Sequence, residues 1–300
     1  MEALVSIASV YFFIVLGFIA KKVFSDDIND KTLILISIYF LQPILTFWGL
    51  TRVELNYNLI YTPFLYFIIV TTLLLFSIAV AKKISTDSKE QSIFIAASLI
   101  GNTGNLGIPL GIALFGTESV AYTSMINIAN IFFIYTIGIY FYARSSFNIK
   151  NSLKNIFKIP ILWFALLAII YNYFGFSIHP QIDMLLEMGA YSAIVLQLLI
   201  FGIYLSGVKI QTINYKLTFS STFIKLILLP FVGYLFLVFL NVDKFIASIL
   251  IIQLLVPLAV NNVNIASLYD CKPYDVTIIV ILSSLLFIPI LFFYMQFIGA

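Results

Sequence analysis

Two stretches of this 300-residue chain gather the side chains that could hold a small polar ligand. Residues 101–109 read Gly101-Asn102-Thr103-Gly104-Asn105-Leu106-Gly107-Ile108-Pro109. Residues 256–264 read Val256-Pro257-Leu258-Ala259-Val260-Asn261-Asn262-Val263-Asn264. The amides of Asn102, Asn105, Asn261, Asn262 and Asn264 each offer donors and an acceptor. Gly104, Gly107, Pro109 and Pro257 oppose a continuous helix, because Pro lacks a backbone donor and clashes with the preceding turn. Gly costs about 1 kcal/mol against Ala in a helix. Helix ends made by such breaks carry partial positive charge and free N–H groups suited to an anion. The chemistry on offer is binding. An intramembrane protease would need an embedded Asp pair, a Ser/His pair or metal ligands. The single His179 falls in a loop and no Asp or Glu lies near the middle of an apolar run. The glycine spacing at 101, 104 and 107 is no phosphate loop, since no strand or βαβ context precedes it.

The elements around these clusters are apolar runs. Hydrophobic residues make up 62% of the chain and charged residues 10%, against about 25% charged in an average globular protein. Mean hydropathy is +1.09. No polar shell could cover such a core in water. This excludes a cytosolic enzyme, a secreted domain, a disordered chain and a nucleic-acid binder, and a net charge of +3 without a basic stripe does not restore the last. Charge-free runs occupy residues 3–20, 32–51, 55–81, 91–117, 119–143, 159–182, 188–208, 245–269 and 276–300. A tenth run, 217–242, is interrupted only by Lys225. A spanning helix needs about 20 apolar residues, so ten spans are predicted with short loops between them. The runs are too long and too unalternating for strands. Glu2 before the first run and Lys21-Lys22 after it predict a retained helix, not a secretory signal.

Loop charges support that count. One side receives Lys21, Lys22, Lys31, Lys82, Lys83, Lys89, Arg144, Lys150, Lys154, Lys158, Lys209, Lys216 and Lys272; the other receives Arg52 and Lys244. Positive residues favour the cytoplasm, which places both termini outside. The lone Cys271 then sits in a cytoplasmic loop as a reduced thiol with no intramolecular partner.

The basic stretch 144–158 divides the chain into residues 1–143, with five spans, and 159–300, with five more. An odd number per half inverts the second half relative to the first. Spans four and nine correspond under that division, and each holds one Asn/Pro cluster. Gly and Pro can also mark close helix packing, as Gly107-xxx-Gly111 would. Two such clusters in matching helices point instead to a transporter's binding site, because irregular backbone at membrane depth is tolerated only inside protein or along a cavity.

The stretch 101–109 resembles the span-four signature of the auxin efflux carrier family, which includes plant carriers and bacterial malonate- or malate-type permeases. The stretch 257–264 is similar to its span-nine motif, and the resemblance covers essentially the whole chain, in the minimal bacterial or archaeal form. It implies an all-α integral membrane protein of the sodium/bile-acid symporter type. Ten helices would form two inverted five-helix repeats, with broken helices four and nine crossing at mid-membrane. Helices 1, 2, 6 and 7 would form a scaffold, and helices 3–5 and 8–10 a transport domain moving as an elevator. The crossover prolines map onto Pro109 and Pro257. Substrate-binding positions map onto Asn102 or Asn105 and onto Asn261, Asn262 or Asn264. The plant family's long central loop is reduced here to residues 144–158, so regulation through that loop is absent.

Other polar residues in spans have weaker signals. Asn127 and Asn130 share a helix face and could line the crossover or satisfy the backbone of a neighbouring break. Gln42 and Gln197 in spans two and seven suit helix–helix hydrogen bonding or a polar cavity wall. Gln253, one turn before Pro257, could cap that break. Lys225 lies about two turns from the loop at Lys216, which predicts snorkelling to the interface over a coupling role. Asp183 and Glu187 suit a helix N-terminus. His179 is expected at the surface, and Trp48 and Trp163 are expected to anchor at interfaces.

The expected function is secondary transport of small organic anions across the plasma membrane, without cofactor or metal. The alternative is a sodium-coupled organic anion symporter of the bile-acid type. Proton and sodium both stay open as coupling ion, although exchange of one for the other would need a mid-membrane acid. Expected partners are the anion, the lipid bilayer and a second copy docked through the scaffold helices, and no nucleic acid.

Overall fold

The computed structural model describes residues 2–143, 148–207 and 212–298. Among these every regular element is a helix, and one isolated antiparallel bridge joins Gly101 and Leu258. Among the described residues, six helices are long and apolar enough to cross a bilayer: Asp30–Thr51, Tyr57–Ile84, Ser119–Ala143, Pro180–Ser206, Tyr215–Phe239 and Pro273–Met295. A seventh would be α9 (Ile149–Phe157) and α10 (Pro160–Tyr173) taken together as one broken span. The stretch 144–158 is therefore not simply a loop. Residues 144–147, including Arg144, lie outside the described residues, as does Lys209, but 149–157 are helical. Lys150 and Lys154 lie four residues apart there, which places them on one face.

The chain forms two compact units, each drawing on both halves of the sequence. Unit 1 comprises Met1–Tyr61, Gly104–Ile128 and Phe157–Val208; unit 2 comprises Thr62–Thr103, Ala129–Ile156 and Lys209–Ala300.

In unit 1, α1 (Glu2–Phe24) packs along α11 (Pro180–Ser206). Gly17 faces the Leu199 carbonyl and Gly202 the Ile14 carbonyl, so closely that a Cβ on either would collide with backbone. Small residues let helix backbones approach in this way. Leu45 and Trp48 of α3 (Gln42–Thr51), Ile108 of α6 (Ile108–Phe115), Val120 of α7 (Ser119–Phe133) and Ala190 and Ala193 of α11 form a buried cluster. Trp48 is thus fully buried, contrary to its expected interfacial place. It lies under Arg52, whose guanidinium stands 4.6 Å from the ring centroid and pairs with Asp183 at 2.9 Å and Glu187 at 3.7 Å. Trp163 is half exposed and donates from Nε1 to the Phe157 carbonyl at 2.8 Å. The exposed His179 caps α11, its Nδ1 accepting from the Gln181 amide at 3.3 Å.

Unit 2 holds most of α4 (Tyr57–Ile84), α5 (Ser88–Ala97), α8 (Ile139–Ala143), α12 (Tyr215–Phe223), α13 (Leu229–Phe239), α14 (Lys244–Leu255), α15 (Asn261–Leu268) and α16 (Pro273–Ile298). At one end an ion-pair cluster ties α5 to the loop before α16. Lys272 meets Asp87 at 2.8 Å and Glu90 at 2.5 Å, and Lys89 meets Asp270 at 2.9 Å. Cys271 is buried beside them, its Sγ 3.7 Å from the Lys89 carbonyl.

Among the described residues, four helical turns widen to π geometry: Ser37–Leu41, Thr103–Gly107, Ile134–Gly138 and Ile224–Leu228. Three precede a proline by two residues, namely Pro43, Pro109 and Pro230. A proline ring clashes with the carbonyl four residues back. Those carbonyls belong to Tyr39, Asn105 and Leu226, each inside the widened turn. The extra residue in the turn relieves the clash locally, and such turns gather at functional sites.

Candidate functional site

The run 91–117 is not one α-helix. Regular α5 ends at Ala97, and helical turns resume at Thr103. The run 245–269 is divided likewise, α14 ending at Leu255 and α15 starting at Asn261. Within unit 2 the two non-helical segments hydrogen-bond to each other. The Asn102 amide donates to the Pro257 carbonyl at 2.8 Å, and the Ala259 amide donates to the Ile100 carbonyl at 3.3 Å. Each segment supplies what the other lost when its helix stopped, as buried backbone requires.

Side chains complete that repair. Asn130 donates from Nδ2 to the Gly101 carbonyl at 2.8 Å and to Thr103 Oγ1 at 2.9 Å, and its Oδ1 accepts from the Tyr66 hydroxyl at 3.1 Å. Ser283 Oγ accepts from the Leu258 amide at 3.2 Å. Asn262 is buried. Its Nδ2 donates to the Ala259 carbonyl at 2.8 Å, and its Oδ1 accepts from the Tyr142 hydroxyl at 3.1 Å. Asn130 and Asn262 therefore spend their amides on structure.

Other amides are placed differently. Asn102 is buried, and its Nδ2 has no hydrogen-bond partner among the described residues. Asn261 and Asn264 are exposed at i, i+3 on the first turn of α15, so they share a face. Within unit 1, Asn105 accepts from Gln42 Nε2 at 3.2 Å, and Asn127 packs so near Gly104 that its Oδ1 would lie 3.0 Å from an added Cβ. Gln197 is buried in α11 with neither side-chain atom partnered among the described residues. Gln253 is the same in α14, so it does not cap the break before Pro257.

Lys225 departs most from expectation. Instead of snorkelling, it is 0% exposed in the widened turn Ile224–Leu228 and donates from Nζ to the Leu254 carbonyl at 2.6 Å. A Cβ on Gly101 would lie 3.1 Å from that Nζ. The ammonium therefore sits at the C-terminal end of α14, the negative end of a helix dipole, beside the first break. Distance from the loop suggested an interfacial position. The direction of the side chain, set by the packing of the Ile224–Leu228 turn on α14, decides otherwise. Tyr66, Tyr142 and Ser283 carried no sequence signal at all, because only folding brings them to the breaks.

The ion-pair cluster has distinct electrostatics. Lys272 and the Lys89 and Glu90 amides hold the Asp87 carboxyl below the usual range. Burial pushes Glu90 up, but bonds from Lys272 and Ser85 outweigh it and the carboxyl ends lower. Burial pushes Lys272 down, yet Asp87 and Glu90 hold it above its ordinary value.

Comparison with known proteins decides the class. The family model described as membrane transport protein matches residues 2–295. The chain belongs to the auxin efflux carrier family. An uncharacterised transporter of Methanocaldococcus jannaschii is 25% identical over 180 residues, which cover 59% of this chain and 58% of that protein. The chain thus aligns with a little over half the length of that curated relative. This carrier is a multi-pass membrane transporter and not an enzyme.

Proposed function

We propose that this carrier moves small organic anions, carboxylates of the malonate, malate or auxin-like acid class, across the plasma membrane by elevator-type alternating access. In this reading the chain makes ten spans in two inverted halves, with spans four and nine crossing at mid-membrane and both termini outside. One observation carries it: two interrupted helices repair each other's backbone while leaving the Asn102 amide donor buried and without a partner among the described residues, next in sequence to Gly101, which lies against the Lys225 Nζ. A buried donor without a partner costs about 1–3 kcal/mol, which a carboxylate would recover. Asn261 and Asn264 are the further donors, and the Asn105–Gln42 pair is an accessory polar contact. The compaction of the chain into two units, each built from both halves, supports one moving and one static part.

The test is reconstitution into liposomes with labelled malonate, malate and indole acids under imposed proton and sodium gradients. Asn102→Ala and Asn261→Ala should each weaken anion binding about tenfold or more, the worth of one hydrogen bond to a charged group. If no acid moves and neither substitution changes flux or binding, this reading is wrong.

A further inference from the structure

The buried ammonium of Lys225 has no carboxylate partner among the described residues; its one hydrogen bond goes to the Leu254 carbonyl. An unpaired charge in a dry interior is costly, so its retention calls for a use. A line of polar atoms leads to it. Thr218, Ser221 and Thr222 precede Lys225 by seven, four and three residues, which places all four on one face of the same helix. All three are buried, and none of their hydroxyls has a hydrogen-bond partner among the described residues. Some buried helical hydroxyls return to a carbonyl of the preceding turn, as Ser98 does to Phe94, Thr123 to Ser119 and Ser284 to Val280, and others such as Ser77 and Ser124 do not; what sets these three apart is that they follow one another on the face that leads to Lys225. Three successive hydroxyls turned away from their own helix can be satisfied by a file of water.

We propose that Thr218, Ser221 and Thr222 line a hydrated path from the Asn214 end of α12 to Lys225, and that Lys225 carries the proton coupled to anion movement. The proposal rests on the transport reading above and names its coupling ion. In the release step an Nζ–H bond breaks, its electron pair stays on nitrogen, and the proton passes to water in the path; the reverse step restores the ammonium. The protonated side chain adds positive charge beside Gly101 and the free Asn102 amide, so anion and proton are held together and leave together. The helices packed on the Lys225 turn carry few other titratable groups: Tyr215 and Lys216 on α12, Tyr234 on α13, Lys244 on α14, and Tyr274, Asp275 and Tyr294 on α16. Of these, Tyr294 reaches the turn itself, donating to the Ile227 carbonyl at 3.0 Å.

The test uses the full chain in liposomes containing a pH-sensitive dye. Wild type should accumulate malonate or malate down a proton gradient with concomitant proton entry. Lys225→Arg keeps a positive charge that does not dissociate. It should lose proton-driven accumulation and the proton entry that accompanies anion movement; proton-driven accumulation by this variant overturns the proposal. Should the larger side chain prevent folding, Thr222→Val dries the path with little change of shape and should slow proton-driven accumulation while sparing exchange; unchanged accumulation counts against it. The path has its own readout. In a Cys271→Ser background, Ser221→Cys and Thr222→Cys should react with an anionic, membrane-impermeant methanethiosulfonate, and Phe223→Cys, which is exposed on the apolar surface, should not. Unreactive thiols at both positions overturn the path. A wild type that moves no acid defeats the transport reading and the coupling with it, whereas the labelling result then still decides whether the path exists.

Discussion

Unit 1 is held by shape and unit 2 by polar repair. In unit 1 the closest approaches are backbone on backbone, at Gly17 and Gly202, around a cluster of Leu45, Trp48, Ile108, Val120, Ala190 and Ala193. Its ion pairs, Lys21 with Asp30 and Arg52 with Asp183 and Glu187, are partly exposed. In unit 2 the centre is two non-helical segments stitched by Asn130, Asn262, Ser283, Tyr66 and Tyr142, with a buried lysine alongside. Lipid gives helices no hydrophobic reason to associate, so tight packing or hydrogen bonding must supply it. A unit that needs only to stay assembled can use the first. A unit that must present polar groups to a ligand has to use the second, and it can leave a few groups unsatisfied for the ligand to complete.

The largest test of this contrast is Gly202→Val. Its added carbons meet the Ile14 backbone, which cannot move aside like a side chain, and the expected loss is about 3–5 kcal/mol. It should appear as a large drop in the thermal unfolding temperature in detergent. Gly101→Ala in unit 2 should cost far less, because the nearest atoms are the Val256 Cγ2 at 3.0 Å and the Lys225 Nζ at 3.1 Å, both on side chains. Equal losses would erase the distinction.

Asn130→Ala comes next. It strips a partner from the Gly101 carbonyl and from Tyr66, at a cost of about 2–3 kcal/mol. Hydrogen exchange of the Asn102 and Ala259 amides should rise with it, and unchanged protection would mean that the bridge holds without that side chain. Asn264→Ala should sharpen the contrast from the other side, lowering anion binding with a stability change within about 0.5 kcal/mol, as for a surface position.

The smallest effect concerns the Lys272 cluster. Asp87 and Glu90 are held low, so their contribution is present above the ordinary carboxylate value near ~4 and fades as pH falls through their lowered values. Lys272 is held high, so its contribution is complete below about 10.4 and fades as pH rises through its raised value. The cluster is therefore constant from about pH 5 to 9, and being partly exposed it is worth about 1 kcal/mol. Lys272→Gln should lower the unfolding temperature slightly and by the same amount at pH 6 and pH 8. A pH response of transport in that window would have to arise elsewhere, which separates it from the proposed role of Lys225.

Much of this was legible in the chain itself. Long charge-free runs fix a membrane protein because an apolar surface without charge cannot face water, and Gly, Pro and Asn within runs 91–117 and 245–269 mark where helices must stop. Prolines 43, 109 and 230 also carried the signal for three of the four widened turns, since each removes a specific hydrogen bond four residues back. The division of labour among the amides was not legible. Asn102 and Asn130, or Asn261 and Asn262, are the same residue type in the same kind of run. Only the fold assigns Asn130 and Asn262 to the backbone and leaves Asn102, Asn261 and Asn264 uncommitted. Trp48 and Lys225 show the same limit. Sequence gives depth along a helix, and depth suggested an interface for both. Which way a side chain points around the helix depends on the neighbours packed against it, and those neighbours are chosen only in the tertiary structure.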